Sequence, residues 1–576
     1  MVSGPEIPIF IGMTVKICMA KIEAEIIKQA ILLPNLTTDT FSNLKRDILR
    51  KFKAPTSPST AALLKVYHKL TRLGKIKRSA ILEKLLVRRG VRTLSGVSIV
   101  TSLTKPFPCP GKCTYCPNDV KMPKSYISDE PAAARALMLR FDPYDQMVRR
   151  LEALADNGHP TDKIELIIKG GTWNSYPLAY QYWFVARSFE GANEYYSKKL
   201  KKFKVHKADS ENGLTVKQIL DKLATAQKKN EKSRNRIIGL TLETRPDHVT
   251  EATINQMRLQ GATRIELGVQ TTDDKIQERT KRGHNAEQAK NATKLLRHYG
   301  FKVDFHLMPQ LPGSTPTGDL KMLKEIFADP AYRPDMVKIY PCTVVDNTEL
   351  YEEVKRGEFK PYSDKKLIEI LKIFKSEVVP YYCRISRLIR DIPSQHIKAG
   401  NTMTNLRQVL QAELKAEGKK CKCLRCREIG HSTSGVAGVS PLLPEEGARG
   451  RWEPKLFIDK YAASGGHEYF LSWEDKKREV VYGFCRLRVD KNGIYPAFIR
   501  ELHVYGQMVE VGGHEKSASQ HFGLGKKLMI AAEKIAKKDK AGKIAVIAGI
   551  GVREYYRKTG YGLESTYMVK TLNTKS

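Results

Sequence analysis

Short apolar segments alternate with helical segments between residues 96 and 388, and this alternation restricts the chain to a few folds. We predict strands at 96–103, 163–169, 236–242, 264–269, 302–307, 336–340 and 384–388. Helical stretches lie between them, for example at 131–154 and 285–298. Mostly apolar strands are typical of a parallel sheet that helices cover. We therefore predict an α/β fold in which about six βα units form a partial or complete parallel barrel, with functional groups at the carboxyl ends of its strands.

Three cysteines, Cys109, Cys113 and Cys116, follow the first predicted strand in a loop rich in proline and glycine. Three thiolates at this spacing can bind three irons of a [4Fe–4S] cluster and leave the fourth iron to a small ligand. The spacing also allows a zinc knuckle, which needs a fourth ligand nearby, or a disulfide with a spare thiol. Neither a histidine nor a further cysteine follows closely, which favours the cluster.

Several predicted strands end in turns that suit ligand binding. Gly170 and Gly171 end the second strand, and two glycines there let the backbone approach a ligand closely. Glu243 and Gln270 stand at the ends of the next two strands. We predict that these four residues bind a cofactor.

The chain is strongly basic. Its 99 lysines and arginines exceed its 62 acidic residues, which gives a net charge of +37. A thermophilic or solubility-tuned surface is the alternative. Such surfaces, however, usually carry more positive and more negative residues together. The excess of positive residues alone therefore favours a nucleic-acid partner. Basic residues are dense between 44 and 92, among apolar residues at helical spacing, which predicts a folded basic module. Its predicted RNA contacts are Lys65, Lys69, Arg72, Lys75, Lys77, Arg78, Arg88 and Arg89.

A second set of cysteines comprises Cys421, Cys423 and Cys426. Three thiolates this close suggest a structural zinc site that a distant ligand completes, although reduced, unliganded thiols are the alternative. The candidates for that ligand are Cys342, Cys383 and His431. We favour Cys342 because it follows a barrel strand, which is a rigid support. Cysteines clustered in this way do not resemble a secreted disulfide framework, and no run of 18 apolar residues occurs, so we predict a cytoplasmic enzyme without a membrane span.

The C-terminal part carries a second α/β pattern, in which the sequence Q-x-x-G-x-G opens a helix predicted at 525–537. Backbone N–H groups at such a helix start can bind a pyrophosphate. A plain turn between a strand and a helix explains the glycines equally well. We predict four domains: a basic helical module at 1–92, a barrel at 93–390, a connector with the zinc site at 391–450 and a C-terminal α/β domain at 451–576.

These motifs carry resemblances to known families. The cysteine triplet with the glycine pair resembles radical S-adenosylmethionine enzymes, although Thr172 stands where those enzymes usually have a glutamate. The C-terminal loop resembles the acyl-CoA loop of GNAT acetyltransferases. The combination resembles the family of the Elongator catalytic subunit in its single-chain archaeal form, from about residue 44 onwards. The matching stretches are 109–116, 140–143, 170–172, 243–247, 265–271, 338–341, 390–393, 501–506 and 551–557.

The Elongator resemblance implies a tRNA-modifying enzyme that installs a carboxymethyl group at the 5-position of the wobble uridine by radical chemistry. It implies a [4Fe–4S] cluster on Cys109, Cys113 and Cys116, S-adenosylmethionine, and acetyl-CoA as co-substrate, beside the zinc that the connector cysteines suggest. The implied acetyl-CoA contacts are Lys163, Glu501, Leu502, His503, Val504, Gln520, Gly523, Leu524, Gly525, Lys526 and Tyr556. Tyr556 would face the thioester sulfur, with core packing as its alternative. The implied partner is tRNA, while self-association and accessory Elongator subunits are compatible with the sequence and not required by it.

Two other functions fit parts of the sequence. A protein lysine acetyltransferase would use the C-terminal domain and keep the barrel as a structural part. A tRNA-binding scaffold would need neither bound iron nor turnover of acetyl-CoA. Of the three functions, only the tRNA-modifying enzyme requires Cys113.

Overall fold

The computed structural model describes residues 9–54, 56–86, 96–196, 213–429, 454–505 and 523–573. The chain divides into two compact units, one formed by residues 1–94 with 149–161 and the other by residues 95–148 with 162–576. Four residues singled out from the sequence, Arg88, Arg89, His431 and Gln520, lie outside the described residues. No helix within the described ranges combines the length and the apolarity that a membrane crossing needs.

The first unit is helical. Its helices span Ile9–Leu32, Thr38–Lys51, Thr60–Arg72 and Ala80–Leu86. Ser59 caps the third helix, because its side chain accepts a hydrogen bond from the backbone N–H of Ala62. Ile26, Leu64 and Tyr67 belong to the apolar core that packs the helices together. The predicted RNA contacts that are described all lie exposed on this folded support: Lys65, Lys69, Arg72, Lys75, Lys77 and Arg78.

The second unit contains an open parallel sheet. Its strands are β1 Ser98–Leu103, β2 Lys163–Lys169, β3 Arg236–Thr244, β4 Arg264–Gln270, β5 Lys302–Leu307, β6 Met336–Ile339 and β8 Arg384–Arg387. They pair in the order β1-β2-β3-β4-β5-β6-β8, and each neighbouring pair is parallel. This half-barrel confirms the predicted parallel fold in its partial form.

Helices lie between the strands of the half-barrel in the chain. They span Pro131–Met138, Pro143–Asp156, Leu178–Glu194, Val216–Asn230, Glu251–Leu259, Asp274–Arg279, Ala286–His298, Pro316–Ala328, Glu349–Lys355 and Asp364–Ile373. Two further helices, Leu406–Ala416 and Leu424–Arg427, follow β8. The single helix predicted at 131–154 is wrong, because Arg140 and Phe141 adopt φ angles of 50° and 58°. Two consecutive residues in the left-handed region break the helix in two.

Two short strands that the sequence did not predict fold the connector back onto the half-barrel. β7, Thr343–Val345, pairs antiparallel with β9, Ile397–Gly400. The backbone at this pairing is so close that a Cβ on Gly400 would lie 2.5 Å from the carbonyl oxygen of Cys342. The connector therefore covers the residues that follow β6.

A second sheet follows in the same unit. Its strands are β10 Lys455–Ala463, β11 Gly466–Glu474, β12 Val481–Val489, β13 Ala497–Val504, β14 Lys543–Val546, β15 Gly562–Glu564 and β16 Tyr567–Thr571. They pair in the order β10-β11-β12-β13-β14-β16-β15. The parallel strands β13 and β14 pair only at Phe498 with Ala545 and Ile499 with Val546. Beyond these pairs the two strands separate, and the helices Leu524–Lys538 and Arg553–Arg557 lie after β13 and β14 in the chain.

Buried ion pairs join the two sheets of the second unit. Asp335, just before β6, accepts hydrogen bonds of 2.5 and 2.7 Å from Arg500 on β13. Arg500 also donates to Glu468 at 2.8 Å, and all three side chains are at most 1% exposed. A Cβ on Gly549 would lie 2.0 Å from the carbonyl oxygen of Ile238 on β3, so the two backbones also touch. The two sheets therefore share one polar, close-packed interface.

Candidate active site

The cysteine loop lies at the carboxyl end of β1, where parallel barrels place their ligand sites. Cys113 is buried, and Cys109 and Cys116 are partly buried. Arg282 donates a hydrogen bond from Nη1 to the Cys113 sulfur at 3.5 Å. Arg245 packs so tightly on the loop that a Cβ on Gly111 would lie 2.3 Å from its Nη1. Two arginines, which follow β3 and β4, therefore hold the loop in place.

Electrostatics distinguish the cysteines of this loop. Burial raises the pKa of the Cys113 thiol, but the Arg282 guanidinium outweighs burial and keeps that pKa below its ordinary value. Burial and the neighbouring Cys113 raise the pKa of Cys116 to about 12. Arg282 thus favours the thiolate form of Cys113, whereas burial disfavours the thiolate form of Cys116.

The spacing of the sulfur atoms distinguishes the two cysteine sets. Zinc–sulfur bonds of about 2.3 Å place two sulfurs on one tetrahedral ion about 3.8 Å apart. In the described part of the chain, the one group that gathers three ligand atoms within 4.8 Å is Cys421, Cys423 and Cys426. The three sulfurs of the β1 loop do not all lie within that distance of one another.

The glycine pair at the end of β2 faces the same loop. Thr104 lies so close that a Cβ on Gly170 would be 1.7 Å from its Oγ1. Gly171 adopts a φ of 85°, which favours glycine. Thr172 is buried, and its Oγ1 lies 3.9 Å from the Cys109 sulfur. The turn after β2 thus approaches the cysteine loop through the Thr172 hydroxyl.

Replacing Gly170 with alanine should destabilise the protein by about 1–3 kcal/mol or more, because the added methyl would overlap the Thr104 hydroxyl. That hydroxyl cannot move freely, since it is hydrogen-bonded to the Tyr176 hydroxyl at 2.7 Å. Urea unfolding measures the effect. Gly239→Ala on β3 is the matched control, because the nearest atom to its added Cβ is 3.7 Å away. Equal stability of both variants would contradict the close approach at Gly170.

The aromatic side chains that follow Gly171 in the sequence pack in the interior, next to the backbone of Gly170 and Lys105. Trp173, Tyr176, Tyr180, Tyr182, Trp183 and Phe184 are all buried. The Tyr176 hydroxyl donates to the carbonyl oxygens of Gly170 and Lys105, at 3.0 and 3.1 Å. These rings pack in the interior, so they form a helix face of the core and not a platform for an RNA base.

The interior of the half-barrel carries a network of buried charges. Lys169 at the end of β2 contacts Glu243 at 3.0 Å and Glu266 at 2.8 Å. His306 on β5 lies 3.4 Å from Glu243 and 3.1 Å from Glu266, and Lys338 on β6 also contacts Glu266. Burial alone would raise the pKa of Glu243, but Lys169 and His306 hold it well below its usual range. Glu243 therefore stays ionised next to the cysteine loop, where it accepts a hydrogen bond from Tyr126 at 3.1 Å.

Gln270 ends β4 in a strained conformation with a φ of 68°. Its backbone carbonyl accepts a hydrogen bond from Met308 at 2.8 Å. Its side-chain Oε1 is buried and has no hydrogen-bond partner among the described residues. A buried acceptor of this kind suits a ligand that donates a hydrogen bond. The carboxyl ends of β1 to β4 thus bring together Cys109–Cys116, Gly170, Glu243 and Gln270, as parallel strands require.

The second cysteine set forms a compact site in the connector, around the helix Leu424–Arg427. The favoured fourth ligand, Cys342, does not join it. Cys342 lies outside the group of sulfurs and belongs to an apolar cluster with Leu311, Val344 and Leu350. The assignment of Cys342 therefore fails, because the connector covers it with β9 and not with the cysteines. Lys375 is buried beside the site, with its Nζ 4.0 Å from the Cys426 sulfur.

The strand expected to hold the acyl carrier is β13. Glu501, Leu502, His503 and Val504 lie beyond its last pairs with β14, and all four side chains are half-buried. Glu501 accepts a hydrogen bond from Arg486 at 2.8 Å and lies 3.8 Å from Lys302, at the start of β5. Lys163 begins β2 at the same amino-terminal edge of the half-barrel. The expected carrier strand therefore faces the end of the half-barrel opposite to the cysteine loop.

The helix that follows begins at Gly523, whose φ of 66° is left-handed. Leu524 is buried, Gly525 is half-buried and Lys526 is exposed at its first turn. A Cβ on Gly525 would lie 3.3 Å from the hydroxyl of Tyr555, which is therefore the tyrosine next to this helix start. Tyr556 is 6% exposed and belongs to the core cluster of the small sheet, with Cys485 and Met568. Its position agrees with the alternative of core packing.

Comparisons with known proteins agree with this arrangement. The family model of the radical SAM superfamily matches residues 108–325, and that of the radical SAM C-terminal domain matches residues 334–416. The tRNA uridine(34) acetyltransferase of Methanocaldococcus infernus is 42% identical over 547 residues, covering 92% of this chain and 94% of the relative. The chain belongs to the family of tRNA uridine(34) acetyltransferases and Elongator complex protein 3. Elongator complex protein 3 of Homo sapiens is 35% identical over 514 residues, covering 86% of this chain and 87% of the human protein.

A solved structure of the family supports the same fold. It is the archaeal Methanocaldococcus infernus Elp3 with an N-terminal deletion, and it superposes with a TM-score of 0.67 at 40% identity. The match covers 83% of this chain and 99% of that chain. The family membership thus extends over both sheets of the second unit.

Sequence reasoning missed the charged interior. Lys169, Glu266, His306 and Lys338 were read as parts of apolar strands. A signal was present, because polar residues recur at every second position of β4 and β5. A period of two marks one face of a strand, which here is the inner face of the half-barrel.

Proposed function

We propose that this protein is a tRNA-modifying enzyme that builds a carboxymethyl group on the 5-position of the wobble uridine, with acetyl-CoA as carbon donor. The observation that carries the proposal is the joining, in one compact unit, of a radical SAM half-barrel with a second sheet whose strand β13 is open beyond Ile499. Radical chemistry alone would not need the second sheet, and binding of an acyl carrier alone would not need the half-barrel. Relatives of similar length are named tRNA uridine(34) acetyltransferases, which agrees with the acceptor proposed here.

The β1 loop suits the cluster. Cys109, Cys113 and Cys116 would hold a [4Fe–4S] cluster, which with S-adenosylmethionine supplies a radical able to remove a hydrogen atom from an unreactive carbon. Arg282 and Arg245 keep the loop in position for this ligand. Gly170 and Gly171 bring backbone groups of β2 towards the methionine part of the cofactor. Thr172 offers a hydroxyl acceptor for its ammonium group where relatives in the wider family place a carboxylate.

The opening between β13 and β14 suits acetyl-CoA. The main chain of Glu501 to Val504 can pair with the amide groups of the pantetheine arm, as an extended ligand pairs with a strand. The first turn of the helix Leu524–Lys538 presents free backbone N–H groups and the exposed Lys526 to a pyrophosphate. We assign the hydroxyl beside this helix start to Tyr555, while Tyr556 supports it from the core.

The exposed basic side chains of the helical unit are suited to binding tRNA. Substitutions that reverse their charge test this role. Lys75→Glu with Lys77→Glu should weaken tRNA binding and reduce the slope of log K against log salt concentration by about 2, because two phosphate contacts are lost. Both side chains are exposed, whereas Arg78 is engaged with Glu83 at 2.9 Å. Filter binding at several salt concentrations measures the slope. The control is Lys321→Glu with Lys324→Glu, which changes the net charge equally on an exposed helix of the half-barrel. Equal slopes in both double variants would move the RNA surface elsewhere.

The connector cysteines suit a structural zinc ion. Cys423→Ala should remove zinc from the purified protein, because two thiolates bind the ion far more weakly than three. Cys342→Ala should leave the zinc content unchanged, since that side chain lies in an apolar cluster. Elemental analysis of both variants gives the answer. Loss of zinc from the Cys342 variant alone would restore the assignment made from the sequence.

Anaerobic turnover tests the proposed function. Protein with a reconstituted cluster, S-adenosylmethionine, a reductant, acetyl-CoA and unmodified tRNA should yield carboxymethylated wobble uridine and deoxyadenosine. Unmodified tRNA in the presence of an intact cluster would refute the proposal. A protein lysine acetyltransferase would instead acetylate a protein substrate equally well with and without Cys113.

A further inference from the structure

One carboxylate in the half-barrel interior has no hydrogen bond within the described part of the chain. Asp304 on β5 is fully buried, and neither of its carboxylate oxygens has a hydrogen-bond partner among the described residues. Its neighbour Glu266, in contrast, contacts Lys169, His306 and Lys338. Buried polar atoms in native proteins are almost always satisfied by protein or by ordered water. The two oxygens of Asp304 therefore mark a position for a water molecule or a polar ligand.

Asp304 lies between the two ends of the half-barrel. Lys302 precedes it by two positions on the same face of β5 and lies 3.8 Å from Glu501 of the carrier strand. His306 follows it by two positions and contacts Glu243, next to the cysteine loop. Arg264 on β4 interacts electrostatically with both Asp304 and Glu501. A thioester that extends from β13 towards the cysteine loop would therefore pass Asp304.

We infer that Asp304 is the general base for hydrolysis of the thioester, an inference that rests on the function proposed above. The product of that function is a carboxylate, so the bond between the acyl carbon and the CoA sulfur must be broken by water. Asp304 takes a proton from the water, whose oxygen adds to the carbonyl carbon. The carbon–sulfur bond then breaks, and the proton passes from Asp304 to the departing sulfur, which leaves as the CoA thiol. No oxidant or reductant is needed.

The surroundings of Asp304 suit this role. Burial raises the pKa of Asp304 above its ordinary value, and Glu266 adds to that shift, while Lys338 and Arg264 oppose it. A carboxylate with a raised pKa is a stronger base than a free aspartate. Lys338 and Arg264 lie within electrostatic reach of Asp304 and can stabilise the negative charge that develops on the carbonyl oxygen.

The test uses Asp304→Asn in the full chain, which keeps the shape of the side chain and removes the base. Deoxyadenosine formation should continue, while release of the CoA thiol should fall by about 10²- to 10⁴-fold, the usual contribution of a general base. Uridine still linked to CoA through its thioester should then accumulate on the tRNA. Nuclease digestion and mass spectrometry detect this adduct, and hydroxylamine should convert it to a hydroxamate. Asp304→Glu should restore part of the release.

The control for a merely structural effect is Asp319→Asn. Asp319 is also a buried aspartate, but its Oδ2 accepts hydrogen bonds from Gln310, Ser314 and Tyr362. Asp319→Asn should change the rate of deoxyadenosine formation and the rate of CoA thiol release by the same factor. The same joint change in Asp304→Asn, or release of the thiol at the wild-type rate, would overturn the inference. Absence of modified uridine from the wild-type protein would instead refute the proposed function itself.

Discussion

Replacing Asp335 with asparagine should lower the free energy of unfolding by about 3–5 kcal/mol, because it removes one of the two buried carboxylates that pair with Arg500. Asp335 and Arg500 are both 0% exposed and share two hydrogen bonds. Asp335 also accepts the backbone N–H of Val303 at 2.9 Å, so it ties β5 and β13 together. Urea unfolding followed by circular dichroism measures the loss.

The pH dependence of this stability has a defined direction. Burial alone would raise the pKa of Asp335, but Arg500 and Arg486 hold it well below its usual range. The stabilisation is therefore complete above the unfolded-state pKa of about 3.9 and is lost as the pH falls below it. The difference between wild type and Asp335→Asn should be constant near neutral pH and shrink in acid.

Asp391→Asn is the matched control for the interface prediction. Asp391 pairs with Arg387 at 2.6 Å, but both side chains are 48% exposed, so water screens the pair. Its unfolding curve should nearly coincide with that of the wild type. An equally small effect of Asp335→Asn would contradict the idea that the two sheets are joined by buried ion pairs.

Replacing Cys113 with alanine should abolish uridine modification altogether, because three thiolates are needed to hold the cluster and Cys113 is the cysteine that Arg282 contacts by a hydrogen bond. The wild-type protein should bind about four irons per chain after anaerobic reconstitution, and the variant should bind far fewer. Its brown colour and its deoxyadenosine formation should be lost together.

Cys342→Ala provides the matched control for that loss. Cys342 is also a buried cysteine in the same unit, but it packs among apolar side chains. Iron content and uridine modification should stay close to those of the wild type. Retention of modification in Cys113→Ala, or its loss in Cys342→Ala with iron still bound, would contradict the assigned cluster loop.

The sequence was sufficient to predict the parallel sheet and the edge of the sheet at which the candidate site lies. Apolar strands, the cysteine spacing and the glycine pair are local signals, and the parallel order brings Cys109, Gly170, Glu243 and Gln270 to one edge. The break at Arg140 and Phe141 was missed because neither residue is a glycine or a proline. Local propensity does not report a left-handed turn that tertiary packing imposes.

Long-range contacts explain the other differences. Cys342 is predicted as a zinc ligand because it follows a rigid barrel strand, but it lies outside the group of connector cysteines and packs in an apolar cluster. Asp335 and Arg500 are 165 positions apart, so no window of sequence could pair them. The role expected of Tyr556 stays a prediction, since its side chain lies in the core and Tyr555 lies beside the helix start.

The central claim is that the methyl carbon of acetyl-CoA becomes part of the uridine. Acetyl-CoA with both acetyl carbons replaced by ¹³C and its methyl hydrogens by deuterium tests this directly in a single anaerobic turnover. The account predicts that the modified wobble uridine carries both heavy carbons and that deoxyadenosine gains one deuterium, as measured by nucleoside mass spectrometry. Modified uridine without heavy carbon, or deoxyadenosine without deuterium, would contradict it.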